Sequence, residues 1–253
     1  MSSYSDFAFV YDELMCDADY NARTEYVLSL FEKYGKRPTL LLDLACGTGT
    51  FSNLFAKKGI EVIGADMSQD MLSVAREKMY DDSVNVLYLC QKAEELDLYG
   101  TIDGAVCLMD SLNHITDEDS LEKAISRVSL FMEKDGLFIF DVNTPYKHKT
   151  VLGNNTFVKE SDEVFCVWQN EYVENELLVN IRLDIFSEAD GLYERFCEEF
   201  SERAYDFEFL KTLLSKYDFE VLAVFDDLTE NEVKPDAERA FFVCKKTRQT
   251  NGF

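Results

Sequence analysis

No run of apolar residues in the chain approaches the ~20 that a membrane-spanning helix needs, so a transmembrane protein is excluded. The opening stretch, MSSYSDFAFVYDEL, lacks both a basic start and a continuous apolar segment. No secretory signal is expected there, and the expected compartment is the cytoplasm. Paired cysteines are also missing. The seven cysteines (16, 46, 90, 107, 166, 197 and 244) are odd in number and scattered, with no CxxC and no Cys/His cluster of metal-ligand spacing. They read as buried or incidental thiols. Cys46 alone falls inside a motif, and the sequence shows no cationic neighbourhood that would make it a reactive thiolate. Basic residues are few, 25 Lys and Arg against 49 Asp and Glu, and no basic run is longer than Lys245-Lys246. A net charge of −24 repels phosphate backbones, so nucleic acid is not an expected direct partner. A small molecule or a basic protein surface suits this charge better. Internal repeats and low-complexity segments are absent as well.

What remains is the composition of an ordinary globular protein, 47% hydrophobic and 29% charged, long enough for one domain with an insertion. Across 39–142 short β-rich apolar runs alternate with helical patterns, the signature of βαβ units and a parallel sheet. Strands are expected at 39–44, 60–65, 84–89, 103–108 and 136–142. Helices are expected at 50–58, 69–79 and 118–132, the last with Leu121, Ala124, Ile125, Val128 and Phe131 on one face. Ser68 and Asp117 are expected N-caps, and Tyr20–Tyr34 forms an earlier amphipathic helix ended by Gly35 and Pro38. After Asn143 the pattern turns to alternation. The run VFCVWQNEYVENELLVNIRLDIF folds back around 174–176 as an antiparallel hairpin, and a strand at 192–200 joins it across 189–191. This is an insertion into the α/β repeat. A helix at Phe207–Lys216 and strands at 219–225 and 240–245 close the fold, and 247–253 reads as a loose tail.

The stretch LLDLACGTGT, residues 41–50, ends a strand in an acid and opens a helix through Gly47-Thr48-Gly49. Glycines there let a ligand approach the backbone while helix amides face it, and they also serve a tight turn on steric grounds alone. A dinucleotide fingerprint would place a third glycine at position 52, where Ser52 stands, and the Gly-Lys-Ser/Thr of a P-loop is absent. Asp66, at the end of the second strand, suits the two hydroxyls of a ribose. A nucleoside without a pyrophosphate-binding loop is implied, the simplest being an adenosine with a small zwitterionic tail.

With LLDLACGTGT, then IGADMS (63–68), then LMDSLNH (108–114), the chain resembles class I S-adenosylmethionine-dependent methyltransferases. The likeness extends to a bacterial subgroup through FAFVYDELM (7–15), DVNTPYK (141–147) and ERAFFV (238–243), and so covers nearly the whole chain. It implies a Rossmann-like α/β fold whose seven-stranded mixed sheet has an antiparallel last strand, with a small antiparallel β insertion as a lid over the substrate cavity. The core would comprise 1–152 and 203–253, and the lid insertion 153–202.

The resemblance further implies S-adenosylmethionine as cofactor, its methionine end at Asp43 and the Ala45, Cys46, Gly47, Thr48 and Gly49 backbone. Its ribose would sit on Asp66, with Met67 on the adenine. The family's Gln-Asp after strand three is Gln91-Lys92 here, so Gln91 or the backbone of Ala93 would serve the adenine, and Met109 completes the cofactor set. Where the subgroup often carries Trp and a His-x-Gln-Arg-x-Tyr run, this chain has Arg23 and Phe200-Ser201-Glu202-Arg203-Ala204-Tyr205. The subgroup's histidine is missing.

Asp110, Asn113 and His114, after strand four, lie on the edge where open α/β sheets bind ligands, and with Tyr11 they are the catalytic candidates. Tyr4, Tyr11 and Tyr146 are expected as an aromatic collar facing the sulfonium, and His148 as an exposed residue. Asp110, Asp141 and Asn143 occupy the strand ends where catechol-type methyltransferases hold Mg²⁺, but Asp141 serves equally as a strand-end hydrogen-bond acceptor, and no metal is expected. The expected activity is methyl transfer to a small-molecule or protein acceptor. The alternatives are a cofactor-binding interaction protein without turnover and a nicotinamide-dependent oxidoreductase.

Overall fold

The computed structural model describes residues 4–161, 163–189 and 191–249. Two helices come first, α1 (Tyr4–Leu14) and α2 (Tyr20–Tyr34), followed by β1 (Leu40–Leu44), α3 (Thr50–Lys57), β2 (Glu61–Asp66), α4 (Gln69–Asp81) and β3 (Val86–Cys90). The chain continues through β4 (Ile102–Cys107), α5 (Glu118–Phe131) and β5 (Met132–Asn143). A second block holds β6 (Thr156–Glu160), β7 (Val164–Val173), β8 (Leu178–Ala189) and β9 (Leu192–Arg203), before α6 (Phe207–Lys216), β10 (Phe219–Asp226) and β11 (Arg239–Lys246).

Seven strands form one sheet in the order β10-β11-β5-β4-β1-β2-β3, parallel except for β11, which runs antiparallel to both neighbours. Alternation along each buried strand sends side chains to two helical layers. Phe138, Phe140 and Val142 of β5 pack with Leu121, Ile125 and Val128 of α5 and Leu210 and Leu214 of α6. Leu137 and Ile139 face the other way, with Leu28 and Phe31 of α2, Phe55 of α3 and Leu72 of α4. The expected stripe of α5 is wholly buried, and the expected caps form: Ser68 accepts from the Met71 N–H at 3.3 Å and Asp117 from the Ser120 N–H at 2.8 Å. Among the described residues no helix is long and apolar enough to cross a membrane.

The insertion is a separate four-stranded antiparallel sheet, β6-β7-β8-β9. Its inward face carries Val164, Cys166, Val179, Ile181, Leu183 and Ile185, and this small core is completed by Val10 and Leu14 of α1 and by Leu152. Three elements differ from the sequence expectation. α1 is a helix beyond those expected, with Phe7, Val10, Tyr11 and Leu14 at helical spacing, β6 adds a fourth strand to the insertion, and β5 starts at Met132 because α5 passes directly into it. The tail is less loose than expected: the Thr247 N–H donates to the Asp218 carbonyl at 2.8 Å, and Gln249 accepts from the Lys134 N–H at 3.0 Å. Residues 250–253 and Asp190 of the expected turn lie outside the described residues.

Candidate active site

The turn after β1 has three left-handed residues, Ala45, Gly47 and Gly49, with φ of 56°, 54° and 72°. Its two glycines answer to different demands. A Cβ on Gly49 would collide with the Tyr88 hydroxyl and the Ala75 Cβ, so glycine is what lets α3 start hard against β3 and α4. A Cβ on Gly47 would meet nothing within 4 Å, so here the left-handed backbone borders open space.

Two carboxylates end the flanking strands. Asp43 is buried and accepts from the Ser52 hydroxyl at 2.5 Å. Burial pushes its carboxyl up to about 7, against the opposing pull of that hydrogen bond. Asp66 accepts from the Ser68 N–H on one oxygen and the Gly47 N–H on the other, both at 2.8 Å. Burial raises its pKa too, with the two backbone donors working against the rise. An ionised carboxylate offers about four acceptor positions, so Asp66 keeps capacity for two further donors.

α1 lies across this turn. Asp12 accepts from the Thr48 hydroxyl at 2.6 Å and from Lys78 Nζ of α4 at 2.5 Å. Beneath it, Tyr11, Tyr20, Asp43, residues 45–48 and Met109 line a narrow cavity of about 40 Å³. Burial raises the Tyr11 phenol far above its ordinary range, with Tyr20, Asp110, Asp12 and Asp66 adding to the shift. Tyr20 is pushed up to about 12, again mainly by burial. Both therefore stay neutral hydrogen-bonding groups at neutral pH. Burial beside Asp43 and Asp66 likewise raises Cys46 well above the usual thiol value, so it is no thiolate.

Further along the sheet edge, Met67 is 65% exposed, unusual for so apolar a side chain. Gln91 turns its amide onto the Asp97 backbone, accepting from its N–H at 2.9 Å and donating to its carbonyl at 3.3 Å, and so closes the loop over Ala93. Lys92, in the place of the family's acid, is exposed.

At the end of β4, Met109 and Asp110 are both left-handed, with φ of 57° and 53°. Two consecutive non-glycine residues in that region need outside support. Asp141, at the end of β5, supplies it by accepting their N–H groups at 2.8 and 3.0 Å. Arg239, the first residue of β11, pairs with Asp141 and with Asp110 (2.6 Å). Burial works against ionisation of Asp110, yet the charges of Arg239 and Lys147 hold its carboxyl below the usual range.

A methyltransferase-domain family matches residues 41–136. A protein of Geobacillus sp. (strain WCH70) named as a methyltransferase is 32% identical, covering 96% of this chain and all 100% of its own. YqeM of Bacillus subtilis (strain 168), likewise named as a methyltransferase, is 32% identical over 97% of this chain and 98% of its own. The crystal structure of an S-adenosylmethionine-dependent methyltransferase from Clostridium acetobutylicum superposes with a TM-score of 0.87 at 32% identity, covering 98% of this chain and 100% of that one. The chain belongs to the class I S-adenosylmethionine-dependent methyltransferases. It is an enzyme, and S-adenosylmethionine is its cofactor.

In this methyltransferase the four catalytic candidates do not share one setting. The Asn113 amide is buried and fully engaged: it donates to the Arg203 carbonyl at 2.7 Å and the Asn143 carbonyl at 3.3 Å, and accepts from the Asn143 N–H at 2.9 Å. It clasps the core to β9. Asp110 also accepts from the Asn143 amide, at 2.8 Å, so its two oxygens serve Asn143 and Arg239. His114 and Tyr11 are left as the groups with accessible atoms. Two members of the expected aromatic collar have described side chains. Tyr11 lines the cavity, Tyr146 is 37% exposed, and the Tyr4 side chain lies outside the described ones.

His148 corrects the sequence reading, for it is fully buried rather than exposed. The one-turn π-helix at Lys147–Leu152 rolls it inward, where its Nε2 lies 3.4 Å from Glu202 Oε2. Sequence reasoning also misses Ser52, Tyr20, Glu202 and Arg239 as site residues. Arg239 stands inside the ERAFFV run, and Glu202 shares the inward alternation of Phe196, Glu198 and Phe200 on β9, so both leave a signal. Ser52 stands where a dinucleotide fingerprint would have its third glycine, and only Tyr20 leaves no signal, because the folded chain alone brings it to the turn.

Proposed function

We propose that the methyl donor lies along the ends of β1, β2 and β3, with its methionine end at Asp43 and the backbone of Ala45, Cys46, Gly47, Thr48 and Gly49. Its ribose would rest on the two free acceptor positions of Asp66, its adenine on exposed Met67 toward Gln91 and Ala93, and Met109 would border the sulfonium. Gly47 is the observation that carries this reading, because its left-handed backbone opens onto the cavity with room where a side chain would stand. At about 40 Å³ the cavity is well short of the ~300 Å³ that small-molecule pockets provide. Entry therefore requires α1, with Tyr11, to lift.

The donor supplies a methyl group already activated on sulfur, and the chain's part is alignment. Positioning of this kind lowers a barrier by about 7–11 kcal/mol, whereas a general base contributes roughly 100- to 10,000-fold. Asp110, Asn113, His114 and Tyr11 surround the reacting region in this proposal, the first two holding its frame and the last two reaching the acceptor. The acceptor is a small molecule or an exposed protein group, the insertion of 153–202 covers it as a lid, and the work is done in the cytoplasm.

Isothermal titration with S-adenosylhomocysteine tests the cofactor assignment. Asp66→Ala is expected to weaken binding about tenfold or more, the loss of charge-assisted hydrogen bonds of about 1.5–3 kcal/mol. A change below about twofold would remove Asp66 from the site.

A further inference from the structure

The chain has only two histidines, and the fold brings both to the same carboxylate. Glu202 is on the inward face of β9, its side chain 5% exposed. Its Oε2 accepts from the Asn143 amide at 3.1 Å and faces His148 Nε2 at 3.4 Å, while Oε1 lies 3.8 Å from His114 Nε2. Neither ring nitrogen of buried His148 has a hydrogen-bond partner among the described residues. Buried polar atoms are rarely left so, and a catalytic role or a bound group is among the reasons for such exceptions.

No lysine or arginine nitrogen among the described residues comes within 4 Å of the Glu202 carboxylate. The cations nearby are committed elsewhere. Arg239 holds Asp110 and Asp141, and Lys147 donates to Asn143 Oδ1 at 2.9 Å while Glu202 acts on it only through space. A buried carboxylate flanked by two imidazoles and no fixed cation is set to receive a mobile one. The Phe200 ring packs against the His114 imidazole, with centroids 5.2 Å apart, and so fixes its position beside Glu202. His114 ends the short turn that begins at Ser111, and Ser111 and Met109 line the cavity assigned to the methyl donor, so this cluster stands beside it.

Resting on the cofactor placement proposed above, we propose that this cluster is the acceptor site and that the acceptor is an amine, its ammonium docking on Glu202 Oε1 beside His114. The ammonium gives one proton to His114. The freed nitrogen lone pair then forms the N–CH₃ bond as the S–CH₃ bond breaks, its electron pair remaining on sulfur as a neutral thioether. Glu202 stabilises the imidazolium that results, and the Asn143 amide, donating to Oε2 at 3.1 Å, holds Glu202 in place. A hydroxyl acceptor is disfavoured because an incipient alkoxide would form against Glu202. A divalent metal on Asp110, His114 and Glu202, whose ligand atoms lie within 4.8 Å of one another, would have to displace Arg239 and Asn143 from Asp110 or compete with their bonds.

Propylammonium and propan-1-ol, alike in size and different in charge, test the proposal on the protein saturated with S-adenosylhomocysteine. Histidine-ring NMR reports binding, with the two sets of ring signals assigned by His148→Asn. The ammonium probe is expected to shift the His114 signals and to bind about tenfold more tightly than the alcohol, the effect of one charge-assisted hydrogen bond. Glu202→Gln is expected to abolish that preference while leaving S-adenosylhomocysteine affinity within about twofold. Equal binding of the probes in the wild-type protein, binding of neither, or a preference that survives in Glu202→Gln overturns the amine assignment. Displacement of propylammonium by Mg²⁺ from the His114 signals also overturns it, in favour of a metal site. A wild-type protein that fails to bind S-adenosylhomocysteine would instead refute the cofactor placement.

Discussion

Ser52 donates its hydroxyl to Asp43 at 2.5 Å, from the first turn of α3 to the end of β1. This position is where a dinucleotide fingerprint has its third glycine. In that fold the glycine brings helix and strand close together, whereas here a hydroxyl spans the gap and leaves the carboxylate facing the cavity with its other oxygen. The nicotinamide alternative thus lacks, at this residue, the glycine that its fingerprint needs.

The Asp43 carboxyl, near 7 when folded against an ordinary 3.8, sets a pH dependence. Between those values the folded chain holds a proton that the unfolded chain has lost. Its contribution to stability is therefore full below about pH 4 and declines as pH rises through about 7. Binding of the cofactor's cationic amino group favours the ionised form, and the raised Asp66 acts in the same sense. S-Adenosylhomocysteine affinity is expected to rise between about pH 5 and 7, by at most about tenfold per unit for each group, and then to level off. Titration calorimetry across this range checks it; a flat wild-type profile would refute the assignment, and Asp43→Asn is expected to lose part of the slope.

Gly47→Ala and Gly49→Ala separate ligand access from packing. Both introduce left-handed strain of about 1–2 kcal/mol. Gly49→Ala adds a collision with Tyr88 and Ala75, worth a further ~1–3 kcal/mol, so it is expected to be clearly the less stable in urea unfolding. Gly47→Ala is expected to fold and to lose cofactor affinity. Equal stability of the two would mean that the Tyr88 contact is not what demands glycine at 49.

Arg239→Met leaves Asp110 and Asp141 buried without their shared guanidinium. Breaking a buried pair in this way destabilises by about 3–5 kcal/mol. A shift in the urea midpoint matching less than about 1 kcal/mol would show that the pair relaxes into solvent.

Asp12→Ala releases α1 from Thr48 and Lys78. Because Asp12 is 38% exposed, the stability change is expected to stay within about 1 kcal/mol. S-Adenosylhomocysteine should nevertheless dissociate severalfold faster in stopped-flow measurements, since α1 roofs the cavity. An unchanged off-rate would mean that α1 does not gate entry.

Much of the fold is legible in the sequence because its signals are local. The buried stripe of α5, the caps Ser68 and Asp117, and the alternating hairpin around 174–176 depend on residues within a few positions of each other. α1 leaves a weaker signal: Phe7, Val10, Tyr11 and Leu14 recur at helical spacing over only two turns, and what buries Val10 and Leu14 is the insertion's core, far along the chain. His148 misleads because a polar side chain in a loop-like stretch is usually exposed, and only the π-helical turn beside Glu202 buries it.

The sequence by itself reached the cofactor class through the family likeness carried by LLDLACGTGT, IGADMS and LMDSLNH, short runs whose order and spacing can be read without the fold. It also determined the alternating sheet and the insertion. Only the tertiary structure decided which acids are free to act. Asp141 is taken by Arg239, 98 residues away, Asn113 by β9, and Glu202 is left to the two histidines. Such pairings follow from which strand ends and loops the sheet order makes neighbours, and that order is a property of the whole folded core.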